Sequence, residues 1–246
     1  MSFPGFKTLR PGAEKVVTTS KNGILGEEGY MFPGRWFKYG LAGEAATAAL
    51  LQTSISGIDD HDLDLSVAAA AIGARTVTVT LGATAVLLDE YADGFLIVND
   101  GTGEGIQHLI KSHPAAALSQ TVVITLYDND PIIVALVASG TTEVGLTHSP
   151  GFDFVVYPAT VVGEPLGAAC RAFANNDYGW LQFRGPGIFR ADASTPGIGV
   201  PLIPSNATAG NLELGDTSGT YDAHQVAVNR DNASASGEHA ACIWTI

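Results

Sequence analysis

The sequence predicts an all-β chain: a β-barrel or sandwich body, a small β domain inserted in it or adjacent to it, and an extended N-terminal arm. Three observations carry this expectation. Thr76-Val-Thr-Val-Thr-Leu81 alternates hydroxyl and apolar side chains with a period of two, the pattern of a half-buried strand. Short apolar runs are punctuated by turn signals such as Asn175-Asn-Asp177 and Gly185-Pro-Gly187, as in sandwiches and barrels. The first 40 residues, rich in Gly and Pro, place Phe3, Phe6, Tyr30, Phe32, Trp36 and Phe37 at neither helical nor strand spacing.

Taken in order, residues 1 to 40 form the arm, whose rings either insert into a neighbour or pack back on the body. Residues 41–65 and 131–246 form the barrel or sandwich, and residues 66–130 the small β domain. Glu44 to Gln52 is Ala- and Leu-rich and predicts a short helix, with another helical turn over Ala68 to Ala71. Phe95–Asn99 and Ile106–Ile110 flank Asp100-Gly-Thr-Gly-Glu-Gly105 and read as a hairpin. Thr121–Leu126 and Pro131–Leu136 follow as strands. Beyond Gly140, strands are expected at Val144–Leu146, Phe152–Tyr157, Tyr178–Phe183, Ile198–Ile203, His224–Asn229 and Ala240–Ile246.

Only 15% of the 246 residues are charged, against about 25% in ordinary soluble domains, so neighbouring subunits are expected to cover part of the surface. The net charge of −13 argues against nucleic acid as a partner, because phosphate binding needs clustered cations. Charge is unevenly spread. Lys7, Arg10, Lys15, Lys21, Arg35 and Lys38 stand against Glu14, Glu27 and Glu28 in the first 40 residues, a net of +3, which leaves −16 for the rest. That basic leader reads either as an arm docking on an acidic surface or as a solvated terminus. Cys170 and Cys242 are too few and too far apart for a disulfide scaffold and read as buried small hydrophobes. No apolar stretch approaches a membrane span, and the start lacks the apolar region of a signal peptide.

Chemistry finds little purchase. Asp59-Asp-His-Asp-Leu-Asp64 could offer oxygen ligands to Ca²⁺, but it lacks the bending Gly and trailing Glu of an EF-hand loop and reads as a solvated acidic loop. Gly101, Gly103 and Gly105 follow a strand without the spacing of a phosphate loop or a helix after them, so a tight turn is expected. No G-x-S-x-G occurs, and His61, His108, His113, His148, His224 and His239 form no metal motif. The reading is a non-enzyme with no catalytic residue, metal or cofactor. Tyr178, Trp180 and Phe183 near Arg184 could make a sugar platform, although alternation favours an ordinary core strand.

Ala70-Ala-Ile-Gly-Ala-Arg-Thr-Val-Thr-Val-Thr-Leu-Gly-Ala-Thr84, Tyr91-Ala-Asp-Gly-Phe-Leu-Ile-Val-Asn-Asp-Gly-Thr-Gly-Glu-Gly105, Ile110-Lys-Ser-His-Pro114 and Tyr178-Gly-Trp-Leu-Gln-Phe-Arg-Gly-Pro186, with Ala207-Thr-Ala-Gly210, resemble segments of tailed-bacteriophage head proteins. The resemblance implies a capsid decoration (cement) protein on the outer surface of the virion. It would be homotrimeric and bound to the major capsid protein where capsomers meet, with no nucleic acid or membrane partner. On that basis Phe3, Phe6, Trp36 and Phe37 with Lys7, Arg10, Arg35 and Lys38 are the candidate capsid contacts. Other readings are a receptor- or glycan-binding domain of a spike, with exposed aromatics in a groove near Trp180, a tail or connector piece, and a Ca²⁺-dependent hydrolase at Asp59 to Asp64.

Overall fold

A computed structural model describes residues 7–55, 57–138, 140–160, 163–192, 197–215, 225–231 and 236–246. The chain is nearly all β, and it divides into two units, Met1–Ile55 with Pro150–Ile246 and, inserted between them, Ser56–Ser149. The insertion is therefore longer at both ends than the span 66–130 suggested by the sequence.

The first unit opens with β1 (Lys7–Thr8), β2 (Glu28–Met31), β3 (Arg35–Leu41) and β4 (Leu51–Thr53). The second contains α1 (Asp59–Asp62), β5 (Leu65–Ser66), β6 (Thr76–Thr80), β7 (Phe95–Gly101), β8 (Gln107–Ser112), β9 (Thr121–Leu126) and β10 (Thr142–Thr147). The first unit then resumes with β11 (Val155–Val156), β12 (Pro165–Ala169), β13 (Tyr178–Arg190), β14 (Pro201–Pro204), β15 (Leu212–Leu214), β16 (Ala227–Asn229) and β17 (His239–Thr245).

In the second unit six strands run in the order β5-β10-β7-β8-β9-β6. A bridge from Val67 to Val79 and the bond from Ala68 N–H to Thr78 O (2.9 Å) draw the two edges together, so the sheet nearly closes as a barrel. Alternation fills it: Val77, Val79, Leu96, Val98, Ile110, Val122, Ile124, Val144 and Leu146 all point inward and are at most 1% exposed. Each such side chain contributes about 1.5–3 kcal/mol by leaving water. The period-two segments at 76–81 and 121–126 thus pair as β6 and β9, Thr76 opposite Thr125 through to Thr80 opposite Thr121.

The first unit is built on an 11-stranded sheet whose main path is β1-β2-β3-β13-β17-β16-β14-β15, with β4, β11 and β12 branching from it. This overturns the extended arm. Three strands of the supposed arm belong to this sheet, with no strand over residues 9–27: β1 pairs in parallel with β2, β2 with β3, and β3 with the long strand β13. The rings escape a period-two reading because β3 is flanked on both faces, leaving Trp36 half-buried and Phe37 fully buried. Neither predicted helix forms. Ala46 instead bridges Phe173, Ala70 bridges Leu136, and Pro131–Leu136 is a loop rather than a strand. Asp59–Asp62 is a four-residue helical turn. Among the described residues no helix is long and apolar enough to cross a membrane.

The Gly101–Gly105 turn joins β7 and β8, with positive φ of 78°, 95° and 82° at Gly101, Gly103 and Gly105. At Gly101 a Cβ would lie 1.4 Å from Thr141 O, whereas at Gly105 it would meet nothing within 4 Å. Gly105→Ala should therefore cost only the backbone penalty of about 1–2 kcal/mol. Gly101→Ala should cost well above that, because β10 must shift off β7. Urea unfolding of the two variants will check the ranking, and equal losses would contradict this account of the turn.

Candidate functional site

On one face of β2, β3 and β13 the cross-strand pairs bring aromatic and charged groups together. Tyr30 faces Trp36 in register, their rings edge to face at 5.2 Å. Lys38 lies two residues along β3, on the same side as Trp36, with Nζ 5.4 Å from the Phe183 ring centroid. Arg184 pairs with Trp36 and is exposed, and Glu28 pairs with Lys38. Tyr30, Trp36 and Phe183 are half-buried, and Phe32, in the turn between β2 and β3, is 81% exposed. This gives a ring-rich surface with two cations against one carboxylate, on a chain whose net charge is −13.

The eight residues expected to contact a shell do not form one surface. Phe3 and Phe6 lie outside the described residues. Lys7 is exposed, paired with Glu27 at 3.1 Å and 5.6 Å from the Trp180 ring. Arg10 is exposed. Trp36 and Lys38 belong to the face just described. Phe37 is 0% exposed, packed with Leu9, Met31, Tyr39 and Trp180, and has no surface to offer a partner. Arg35 points to the same side as Phe37, its guanidinium 4.8 Å from that ring. Phe32, Tyr30, Phe183 and Arg184 were not among those eight: in the sequence Phe32 and Tyr30 read only as rings of the leader, and Phe183 and Arg184 only as part of a sugar platform with Trp180. An exposed ring at a hairpin turn was the available signal for Phe32, but nothing local marks Phe183, which reaches Lys38 only through strand pairing.

Behind Phe37 a polar knot joins distant segments. Arg35 Nη2 donates to Gln182 Oε1 (2.9 Å) and Nη1 to Glu14 Oε1 (3.3 Å). The Gln182 amide donates to the carbonyls of Arg184, Gly185 and Pro186 at 3.3, 3.3 and 2.8 Å. Glu14, Arg35, Gln182 and Pro186 line a recess of about 450 Å³ together with Cys170 and Trp244. Burial pushes the Cys170 thiol up to about 12, so it is no thiolate at neutral pH and no ready nucleophile. Burial likewise pushes Cys242 up to about 12, and both cysteines are free.

The second unit gathers three of the scattered histidines around Tyr91. His61 Nε2 lies 3.1 Å from Thr84 O, and a carbonyl only accepts, so Nε2 carries the hydrogen and Nδ1 accepts from the Tyr91 hydroxyl at 2.7 Å. His113 Nε2 accepts from Tyr91 N–H (2.9 Å), and its Nδ1–H donates to Pro114 O (3.0 Å). His148 stacks on the Tyr91 ring at 4.5 Å. Burial, with the charges of Glu90 and Asp62, raises the phenol's pKa well above its ordinary range, which keeps the hydroxyl a neutral donor. Tyr91 and His61 are both 0% exposed, so their hydrogen bond is a buried staple, while His148, stacked on the ring, is 8% exposed. Successive histidines of this trio are 52 and 35 residues apart in sequence, and no motif could have announced them. In the acidic segment, Asp60 accepts from the Thr84 hydroxyl and Asp64 from the Asn99 amide. Among the described residues no group of three or more His, Cys, Asp or Glu is placed to hold a metal ion.

Trp180, the proposed centre of a sugar platform, is 7% exposed and packs against Tyr39 at 5.1 Å, leaving almost none of its ring for a ligand to stack on. In comparisons with family models, curated proteins and solved structures, no family model, curated protein or solved structure matches this chain.

Two expectations follow. Burial alone would push the Glu14 carboxyl up, but hydrogen bonds from its own N–H and that of Gly12, together with Arg35, outweigh it and hold the carboxyl below the usual glutamate range. A lowered folded value gives stability that is present above the unfolded value and lost as pH falls through the folded one. Glu14→Gln should therefore cost about 1–2 kcal/mol at pH 7, Arg35 being partly solvated, and the gap to wild type should close as pH falls below the glutamate range. Thermal melts across pH 3 to 8 will check it, and a gap independent of pH would refute it. Tyr91→Phe leaves His61 Nδ1 buried without its donor and should cost about 1–3 kcal/mol in urea unfolding.

Proposed function

We propose that the chain is a structural virion protein that binds the outer surface of a phage capsid and stabilises it, acting as an oligomer, with the aromatic face of β2, β3 and β13 as its contact to the major capsid protein. The observation that carries the reading is that face. Phe32, Tyr30, Trp36 and Phe183 offer amphipathic area beside Lys38 and Arg184, the composition of an interface core rather than of a solvated edge. Its cations stand out on an acidic chain and suit an acidic partner patch. The sequence resemblance to tailed-phage head proteins points the same way, and so does the low charged fraction, which leaves surface for other chains to cover. Many weak copies on a lattice reach high occupancy by avidity.

Residues 2 to 38 cannot be deleted as a test, because β1, β2 and most of β3 would go with them. Point variants on the exposed face suit the question better. Phe32→Ser, Trp36→Ala and the pair Lys38→Glu with Arg184→Glu should each weaken co-sedimentation with the phage's capsid shells at least about tenfold, a loss of about 1.4 kcal/mol per contact group. Lys111→Glu, a single charge reversal in the other unit, should leave it unchanged. Shell binding at wild-type occupancy by all three face variants would reject this face as the contact.

A further inference from the structure

We infer that the apolar loops at the two ends of the barrel unit are the contact surface for a second copy of this chain. The inference deepens the oligomer part of the proposed function and rests on that reading.

Four strands of this unit, β6, β7, β9 and β10, are each preceded by a loop of the same build. A residue turned to the core, Ala70, Val86, Ala116 or Leu136, is followed within two positions by an exposed apolar one. Those are Ile72 at 70%, Leu87 and Leu88 at 71% and 69%, Leu118 at 57% and Val137 at 45%, with Ile133 at 59% just ahead of the last. The loops meet in pairs. Ala70 and Leu136 exchange both backbone hydrogen bonds (3.1 and 2.8 Å), as do Val86 and Ala116 (2.9 and 3.0 Å). The first pair sits where β6 begins and β9 ends, Leu126 N–H bonding Arg75 O, and the second where β6 ends and β9 begins, Ser119 N–H bonding Gly82 O. Each end of the barrel therefore carries its own apolar patch.

The loop geometry does not demand this. In the first unit the same paired device occurs where Ala46 and Phe173 exchange bonds of 3.1 and 2.8 Å, and there the positions two residues on are Ala48 and Asn175. Small or polar residues serve the backbone equally well. Large exposed apolar side chains at these turns cost solubility and persist where a partner covers them.

Charge identifies the partner. Residues 56–149 hold twelve carboxylates and two cations, a net of −10, so two copies repel over most of that unit's surface. Yet residues 66–74, 82–88, 113–120 and 131–138 contain no Asp, Glu, Lys or Arg at all. Through the apolar side chains of these stretches two such acidic units can meet with their nearest carboxylates, such as Asp60 bonded to Thr84 and Glu90 bonded to Leu87 N–H, left at the rim. With a patch at each end, one copy can meet two others, which permits assembly beyond a dimer.

The test is sedimentation velocity on the full chain from 1 to 100 µM, comparing wild type with Ile72→Glu plus Ile133→Glu at one end and Leu88→Glu plus Leu118→Glu at the other. All four positions are exposed, so far-UV circular dichroism should stay that of wild type. Wild type should self-associate, and each double variant should raise the dissociation constant at least about 100-fold. A wild-type chain that stays monomeric at 100 µM, or double variants that assemble like wild type, would overturn the inference. A monomeric chain that still co-sediments with shells sinks the loop contact and leaves the capsid-docking face standing. Loop-dependent assembly without shell binding supports the contact and rejects the docking reading.

Discussion

The first unit depends on how β13 spends its backbone hydrogen bonds. Over Tyr178–Arg184 it pairs with β3, and over Arg184–Arg190 with β17, so one 13-residue strand ties the N-terminal hairpin to the C-terminal strand. The exchange of partners needs a local break in register between Gln182 and Arg184 and a left-handed Gly185 at φ 89°, where a Cβ would lie 2.0 Å from Gly34 O. A break of this kind exposes carbonyls that the ladder no longer serves. Gln182 satisfies them: its amide donates to three, and its own oxygen takes Arg35, which reaches on to Glu14. The aromatic face exists because of that arrangement. Phe183 projects at the break, toward Lys38 and away from the buried Gln182.

What was legible in the sequence follows from where a strand's two faces lie. β6 and β9 have one face in the barrel core and one toward water, so their sequences alternate and announce themselves. β3 does not alternate cleanly, because Phe37 and Tyr39 are buried on one side while Trp36 and Lys38 are half-covered on the other. With β1 only two residues long and β2 only four, nothing in the first 40 positions carried a period, and a sheet-forming segment read as an arm. The Ala-rich stretch at 44–52 misled in the opposite sense. Its helix propensity is worth tenths of a kcal/mol per residue, less than the two backbone bonds between Ala46 and Phe173 and the packing they permit.

The candidate site was legible by residue type and illegible by geometry. Trp36 and Lys38 lie half-buried on one face of β3, while Phe37, adjacent to both, sits at 0% exposure because one step along a strand reverses the side chain. Phe183 and Arg184 join the face from about 145 residues away through the pairing of β13 with β3, a relation no local pattern encodes. The Tyr91 staple is hidden in the same manner. His61 arrives from α1 and His113 and His148 from the segments after β8 and β10, and each is read as scattered until the barrel is closed.

Low charge then takes on a specific meaning. A chain with 15% charged residues could have spread its acids evenly, but residues 66–74, 82–88, 113–120 and 131–138 hold none, and cations outnumber acids on the β2-β3-β13 face. Like-charge repulsion among acidic copies works at a range of about 8 Å in physiological salt, so it discourages random association without preventing a contact from which carboxylates are excluded. Apolar area alone would make such a protein sticky in every direction. The aromatic face in one unit and the end loops in the other gather part of that area, each with its own chemistry, while Val16, Leu63, Ile188 and Ile198 are exposed outside both.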